Sequence, residues 1–189
     1  VKVENHPSEE NAMPQKILVT YASRSGTTAE VANAIGKILE DNHTQVDVMP
    51  MQAVKDVTSY HAVIAGSAIR EAKWLPEAVQ FMRTHQNALR HKPFAMYTVC
   101  ITLAMPNGEK YRSNIAEWTA PIRAIVPPVS EGFFAGMLDF QKLPFNLKTL
   151  RLRATVALGI FPRGDHRDWN AVRTWAEKVK PMLSIPVPA

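Results

Sequence analysis

The chain has 189 residues, enough for one domain with an ordinary core and too few for two comfortable ones. A hydrophobic fraction of 46% and a charged fraction of 21% exclude a disordered chain, and a single cysteine, Cys100, excludes an intrachain disulfide and a cysteine metal cluster. The net charge of +5 is unevenly placed: residues 1–100 carry ten basic and ten acidic side chains, residues 101–189 twelve and seven.

Residues 1–15 hold prolines, acids and amides with little to bury and read as a mobile tail. They lack the apolar core of a signal peptide, and no run nears the roughly 20 apolar residues of a membrane span. A cytoplasmic or peripheral protein is expected. Ile17, Leu18 and Val19, with Tyr21 behind them, form the unbroken apolar run of a strand buried on both faces. Val31, Ile35, Ile38 and Leu39 then recur at helical spacing.

Between strand and helix lies Ser23-Arg24-Ser25-Gly26-Thr27-Thr28, in which five of six residues are hydroxyl-bearing or glycine. A helix start offers unpaired N–H groups and a partial positive charge, so this loop suits a phosphate, with Gly26 letting the backbone turn. The GxxxxGK(S/T) of triphosphate loops and the GxGxxG of dinucleotide folds are both missing, which favours a monophosphate. The plainer alternative is that Ser25 or Thr27 caps the helix, but a cap needs one hydroxyl and four are present.

Gln45 to Met49 alternates like a half-exposed edge strand, whereas Ala62–Gly66 and Phe94–Val99 are continuous and apolar, hence central. Pro76 to Leu89 reads as a helix with proline at its start, and Tyr111 to Trp118 as another that Pro121 bends or ends. Val129 to Gly136 reads as the last strand. From Phe140 to Pro162 stand Lys142, Lys148, Arg151 and Arg153 without an acid, one basic segment rather than a basic protein, and no nucleic-acid partner is expected. Leu143 to Phe161 has two apolar stripes at helical spacing, the second (Phe145, Leu152, Val156) flanked by Lys148 and Arg153. That pattern suits peripheral contact with anionic lipid through 143–161, or cover by residues 1–15 or a second subunit. Asp168 is placed to cap a final helix whose Val172, Trp175, Ala176 and Val179 share a face. His6, His43, His61, His85, His91 and His166 are scattered, and no metal site is expected.

Strand and helix alternate throughout, which makes the chain α/β with a parallel sheet. The loop motif Ser23-x-Ser25-Gly26-x-Thr28 resembles the FMN phosphate loop of flavodoxins. Pro162-Arg163-Gly164-Asp165-His166-Arg167-Asp168-Trp169 resembles the closing motif of a flavodoxin branch that includes quinone-linked protoporphyrinogen oxidases of bacteria. The resemblance implies a flavodoxin-like three-layer α/β/α domain over residues 16–183, with residues 184–189 as a tail, a five-stranded parallel sheet of order 2-1-3-4-5, and FMN. Ligands of such sheets bind beyond the carboxyl ends of the strands. Besides Ser23, Arg24, Ser25, Gly26, Thr27 and Thr28, it therefore implicates Ser67, Ala68, Ile69 and Arg70 after strand three and Val99, Cys100, Ile101 and Thr102 after strand four.

Arg70 beside the ring would favour anionic reduced flavin, or else is a solvated loop cation. Trp74 stacks on the flavin or, as its neighbours Leu75 and Pro76 favour, anchors the core. Cys100 reads as a small apolar packer. Two functions stay open: an enzyme passing electrons from a reduced organic substrate to a quinone, and a carrier exchanging single electrons with protein partners. Shuttle flavodoxins are acidic as a family and this chain is basic, which sets it apart from them.

Overall fold

A computed structural model describes residues 15–138, 155–159 and 164–184. In chain order these form β1 (Gln15–Ala22), α1 (Thr27–Leu39), β2 (Thr44–Pro50), β3 (Ala62–Arg70), β4 (Lys73–Trp74), α2 (Pro76–Leu89), β5 (Phe94–Cys100), α3 (Arg112–Ile125), β6 (Ser130–Ala135), β7 (Met137–Leu138), β8 (Gly164–Asp165) and α4 (Trp169–Leu183). β2, β1, β3, β5 and β6 lie side by side in that order, all parallel, and β4 folds back antiparallel on β3. Numbered without β4, the parallel strands run 2-1-3-4-5, the flavodoxin-like order.

Parallel strands need crossover helices, and these cover both faces. Alternate residues of each strand therefore enter different cores. Leu18, Val63, Ala65, Phe94 and Met96 pack with Ala78, Phe81 and Met82 of α2 and with Ile122 of α3. Ile17, Val19, Ile64, Ala95 and Tyr97 pack with Val31, Ile35 and Leu39 of α1 and with Val172, Ala176 and Val179 of α4. The result is three layers, α/β/α. Register aligns Ala22 with Ser67 and Ser67 with Thr98, so the loops leaving β1, β3 and β5 emerge together at one end of the sheet.

The amino ends of the strands are fastened by polar groups. Lys16 pairs with Asp47 at 2.9 Å, and Tyr60 donates its hydroxyl hydrogen to the same carboxylate at 2.7 Å. The Lys92 ammonium donates to the carbonyl oxygens of Val57 at 2.6 Å, Thr58 at 3.3 Å and Tyr60 at 2.6 Å, closing the loop that precedes β3.

Two elements depart from the sequence expectation. β3 continues to Arg70, because Ser67 to Arg70 turn directly into the β3–β4 hairpin instead of opening into a loop. α3 runs past Trp118 and through Pro121 to Ile125. In the turn before the proline, the Thr119 hydroxyl donates to the carbonyl oxygens of Ile115 and Ala116, and Arg123 also donates to Ala116. The helical donor that Pro121 lacks would have served the Glu117 carbonyl, so these bonds to the two preceding carbonyls brace the turn before the proline without replacing it. The stretch expected to form one helix over 143–161 lies outside the described residues except for 155–159, of which 155–157 are helical.

Among the described residues no helix is long and apolar enough to cross a membrane, and no three His, Cys, Asp or Glu side chains converge.

Candidate functional site

The Ser23 to Thr28 segment bends because Gly26 adopts φ 86°, a left-handed conformation that costs glycine little. Gly26 is also the N-cap of α1, and no side chain caps this helix. The hydroxyls are therefore not occupied in capping. Ser23 Oγ accepts from the Gly26 N–H at 3.1 Å, and the Ser25 and Thr27 hydroxyls lie 3.2 Å apart.

Thr28 is 1% exposed, and its Oγ1 is buried without a hydrogen-bond partner among the described residues. A buried hydroxyl left unpaired costs about 1–3 kcal/mol, and this one lies in the first turn of a helix, where the leading backbone N–H groups have no acceptor within the helix. Such a set of donors fits a phosphate. From beneath, Tyr97 donates its hydroxyl hydrogen to the Thr28 carbonyl at 3.2 Å. Arg24 pairs through both terminal nitrogens with Glu77 in the first turn of α2, at 2.5 and 2.9 Å.

One cleft joins this loop to the other strand ends. Arg24, Ser25, Thr27 and Thr28 line it on one side, Ala68, Ile69 and Arg70 from β3, Val99 from β5 and Ile101 just after β5 on the next. Leu75, Gly136, Met137 and Leu138 complete it. Polar groups thus collect at one end and aliphatic walls at the other, which suits a flat apolar ring bearing a phosphate. Arg70 is exposed and lines the cleft.

Not every residue expected at the site lines the cleft. Ser67 is buried beneath it, donating to the Ala68 carbonyl at 2.9 Å and accepting from the Leu75 N–H at 3.1 Å, so it fastens the hairpin base. Cys100 is buried in β5, and Thr102 lies in the short helical turn Ile101–Ala104; neither is among the lining residues, nor are Ser23 and Gly26. Trp74 is buried, with its indole N–H on Thr98 Oγ1 at 2.9 Å, which is the core position that its neighbours favoured.

Gly136, Met137 and Leu138 were not anticipated. The apolar pattern that marked the last strand stops at Gly136; this glycine follows β6 beside Val99 and Ile101, and Met137 and Leu138 pair with Asp165 and Gly164 of the closing motif. The His166 N–H donates to the Gly136 carbonyl at 3.3 Å, and Asp168 caps α4 by accepting from the N–H groups of Asn170 and Ala171. The closing motif thus backs the cleft wall.

A family model described as a flavodoxin domain matches residues 18–150. Protoporphyrinogen IX dehydrogenase (quinone) of Escherichia coli strain K12 is 25% identical over 101 residues, 52% of this chain and 56% of that protein. The match thus spans about half the length of the curated relative. Among solved structures, a mutant flavodoxin from Pseudomonas aeruginosa aligns with TM-score 0.56 at 10% identity, covering 90% of this chain and 100% of its own. An oxidoreductase from Corynebacterium diphtheriae gives TM-score 0.56 at 9% identity, over 91% and 98%. At these identities the structural likeness speaks for the fold.

Proposed function

Since the chain belongs to the flavodoxin domain family, we propose that its cleft holds FMN and that the protein is an oxidoreductase passing electrons from a reduced organic substrate to a quinone-type acceptor. The observation that carries the cofactor assignment is the buried Thr28 hydroxyl, without a hydrogen-bond partner among the described residues, in a loop of hydroxyls at a helix start. Ser25, Thr27 and Thr28 would hold the phosphate together with the first N–H groups of α1. Ile69, Leu75, Val99, Ile101, Met137 and Leu138 supply the apolar walls for the ring and exclude water from its faces.

When bound, FMN supplies one- and two-electron transfer. The protein contributes position and electrostatics. Arg70 at the mouth of the cleft would stabilise negative charge on the reduced ring, and the parallel strands hold the three loops in fixed register.

Two features support the quinone-type acceptor: the name of the E. coli relative, and the acid-free basic segment from Phe140 to Pro162. The same segment supports peripheral membrane contact through 143–161, where a lipid-dissolved acceptor would be met. One domain over 16–183, with tails 1–15 and 184–189, completes the reading.

The absorbance spectrum of the purified protein tests the cofactor directly, since bound oxidised flavin has its own visible bands. Replacing Ser25 and Thr28 together by alanine removes hydrogen bonds to a charged acceptor worth about 1.5–3 kcal/mol each and should lower FMN affinity by orders of magnitude. Retention of parental affinity overturns the loop assignment. Steady-state turnover with a soluble quinone distinguishes the enzyme from a carrier.

A further inference from the structure

α2 and α3 pack on the same side of the sheet and present matched faces to each other. Pro76, Val79, Gln80 and Arg83 recur at i, i+3, i+4 and i+7 along α2. Trp118, Pro121, Ile122 and Ile125 repeat that spacing along α3. The faces do not close on each other. Between them stands a cavity of about 530 Å³, a size that holds small organic ligands, with Lys73 and the buried Trp74 of β4 completing its wall.

The lining has two chemical parts. Trp74 and Trp118 supply aromatic surface, and prolines and aliphatic side chains most of the remaining wall, so an apolar ring is the body that fits. The charged lining residues are Lys73 and Arg83, both exposed cations, and no carboxylate lines the cavity. Neither cation has an ion-pair partner among the described residues, and Glu77, the acid next to Pro76, is already taken by Arg24.

The β3–β4 hairpin adds to this excess of positive charge. Lys73 is the register partner of Arg70, so two cations stand directly opposite each other, an arrangement that costs stability and that a bound anion would relieve. The two residues between them, Glu71 and Ala72, hold φ 52° and 59°, left-handed values that glycine or asparagine would adopt at less cost. The turn thus keeps Lys73 at this cavity and Arg70 at the flavin cleft against both charge and backbone preference.

We propose that the cavity between α2 and α3 binds a small aromatic carboxylate, its ring against Trp74 and Trp118 and its carboxylate at Lys73 and Arg83. A carboxylate suits the site better than a phosphate, because it carries a single charge and gives up less hydration on entering between apolar walls. The site shares no lining residue with the flavin cleft and does not rest on the flavin assignment.

The test is calorimetric titration of the full chain with naphthalene-2-carboxylate and with naphthalene-2-carboxamide, which share ring and shape and differ in charge. FMN is kept in excess, so that a filled flavin cleft does not take up either probe. The parent should bind the carboxylate about tenfold more tightly than the carboxamide. Equal affinities overturn the proposal, and so does binding of neither probe, the result if a second copy or another part of the chain covers the cavity. Lys73→Gln together with Arg83→Gln, both at exposed positions, should weaken the carboxylate by about tenfold and the carboxamide by less than about twofold. Equal losses for both probes would mean that the cations shape the cavity without reading charge, and unchanged affinities that the probes sit elsewhere; either overturns the proposal. Nuclear magnetic resonance then gives the location. Of the four tryptophan indole N–H signals, that of Trp118, identified by its loss in Trp118→Phe, should shift as the carboxylate is added. A Trp118 signal that stays in place overturns the proposal whatever the calorimetry gives.

Discussion

The ring of Tyr97 fills the space where a β-carbon on Gly66 would stand: that atom would lie 1.8 Å from Tyr97 Cζ. The two residues are register partners on β3 and β5, and the Tyr97 hydroxyl continues on to the Thr28 carbonyl. Gly66→Ala should therefore displace a fully buried aromatic, costing about 1–3 kcal/mol or more, and should weaken FMN binding through Thr28. Tyr97→Phe keeps the ring and loses one hydrogen bond, about 1 kcal/mol. Urea denaturation of both variants checks the order, and a Gly66→Ala protein as stable as the parent would contradict it.

Thr28→Val separates binding from folding. The flavin-free variant should be at least as stable as the parent, since the replaced hydroxyl has no hydrogen-bond partner among the described residues. Its affinity for FMN should fall about tenfold or more, the loss of one hydrogen bond to a charged acceptor. Thermal melts of the flavin-free proteins and flavin titrations measure the two halves, and a variant that loses stability but keeps FMN would refute the assignment.

Tyr60 makes a prediction about alkaline pH. Its burial, first, and its bond to the Asp47 carboxylate, second, push the phenol up to about 12 from an ordinary 10.0. A group whose folded pKa is raised contributes stability that is complete below the unfolded value and is lost as pH climbs through the folded one. The stability advantage of the parent over Tyr60→Phe should thus shrink between about pH 10 and 12. Asp47 is held below the usual carboxylate range by Lys16, with Tyr60 adding to it, so its contribution is lost in acid instead. Denaturant titrations across both ranges test the signs.

Arg70 is predicted to raise the two-electron potential of bound FMN, because positive charge near the ring stabilises the anionic reduced form. Spectroelectrochemical titration of Arg70→Ala should give a lower potential than the parent. An unchanged value would mean that Arg70 stays in solvent.

Peripheral membrane contact predicts flotation with anionic vesicles at low salt, weakened by high salt and lost in a Lys148→Glu, Arg153→Glu variant. Absence of flotation by the parent at any salt would rule the contact out.

The fold was legible in the sequence because its signals are redundant. Continuous apolar runs mark β1, β3 and β5, a helical stripe marks α1, and Asp168 sits where it caps α4. The proposed phosphate loop could be picked out because its chemistry is local, contained in six consecutive residues. The rest of the cleft was less legible. Ser67 and Cys100 have the right places in the chain, yet the first turns inward to bond Leu75 and the second is buried in its strand, facts decided by tertiary packing. Met137 and Leu138 pair with residues 164–165, a relation no local window contains.

Lys92 places an ammonium group among three inward carbonyls, the kind of oxygen cage with which proteins also bind calcium. Here the positive charge is tethered to the chain itself. It cannot be chelated, exchanged for another ion or diluted away, so closure of the 57–60 loop draws on no bound metal ion. Specificity for the right cation, which an ion site must achieve by size and ligand number, is settled at translation.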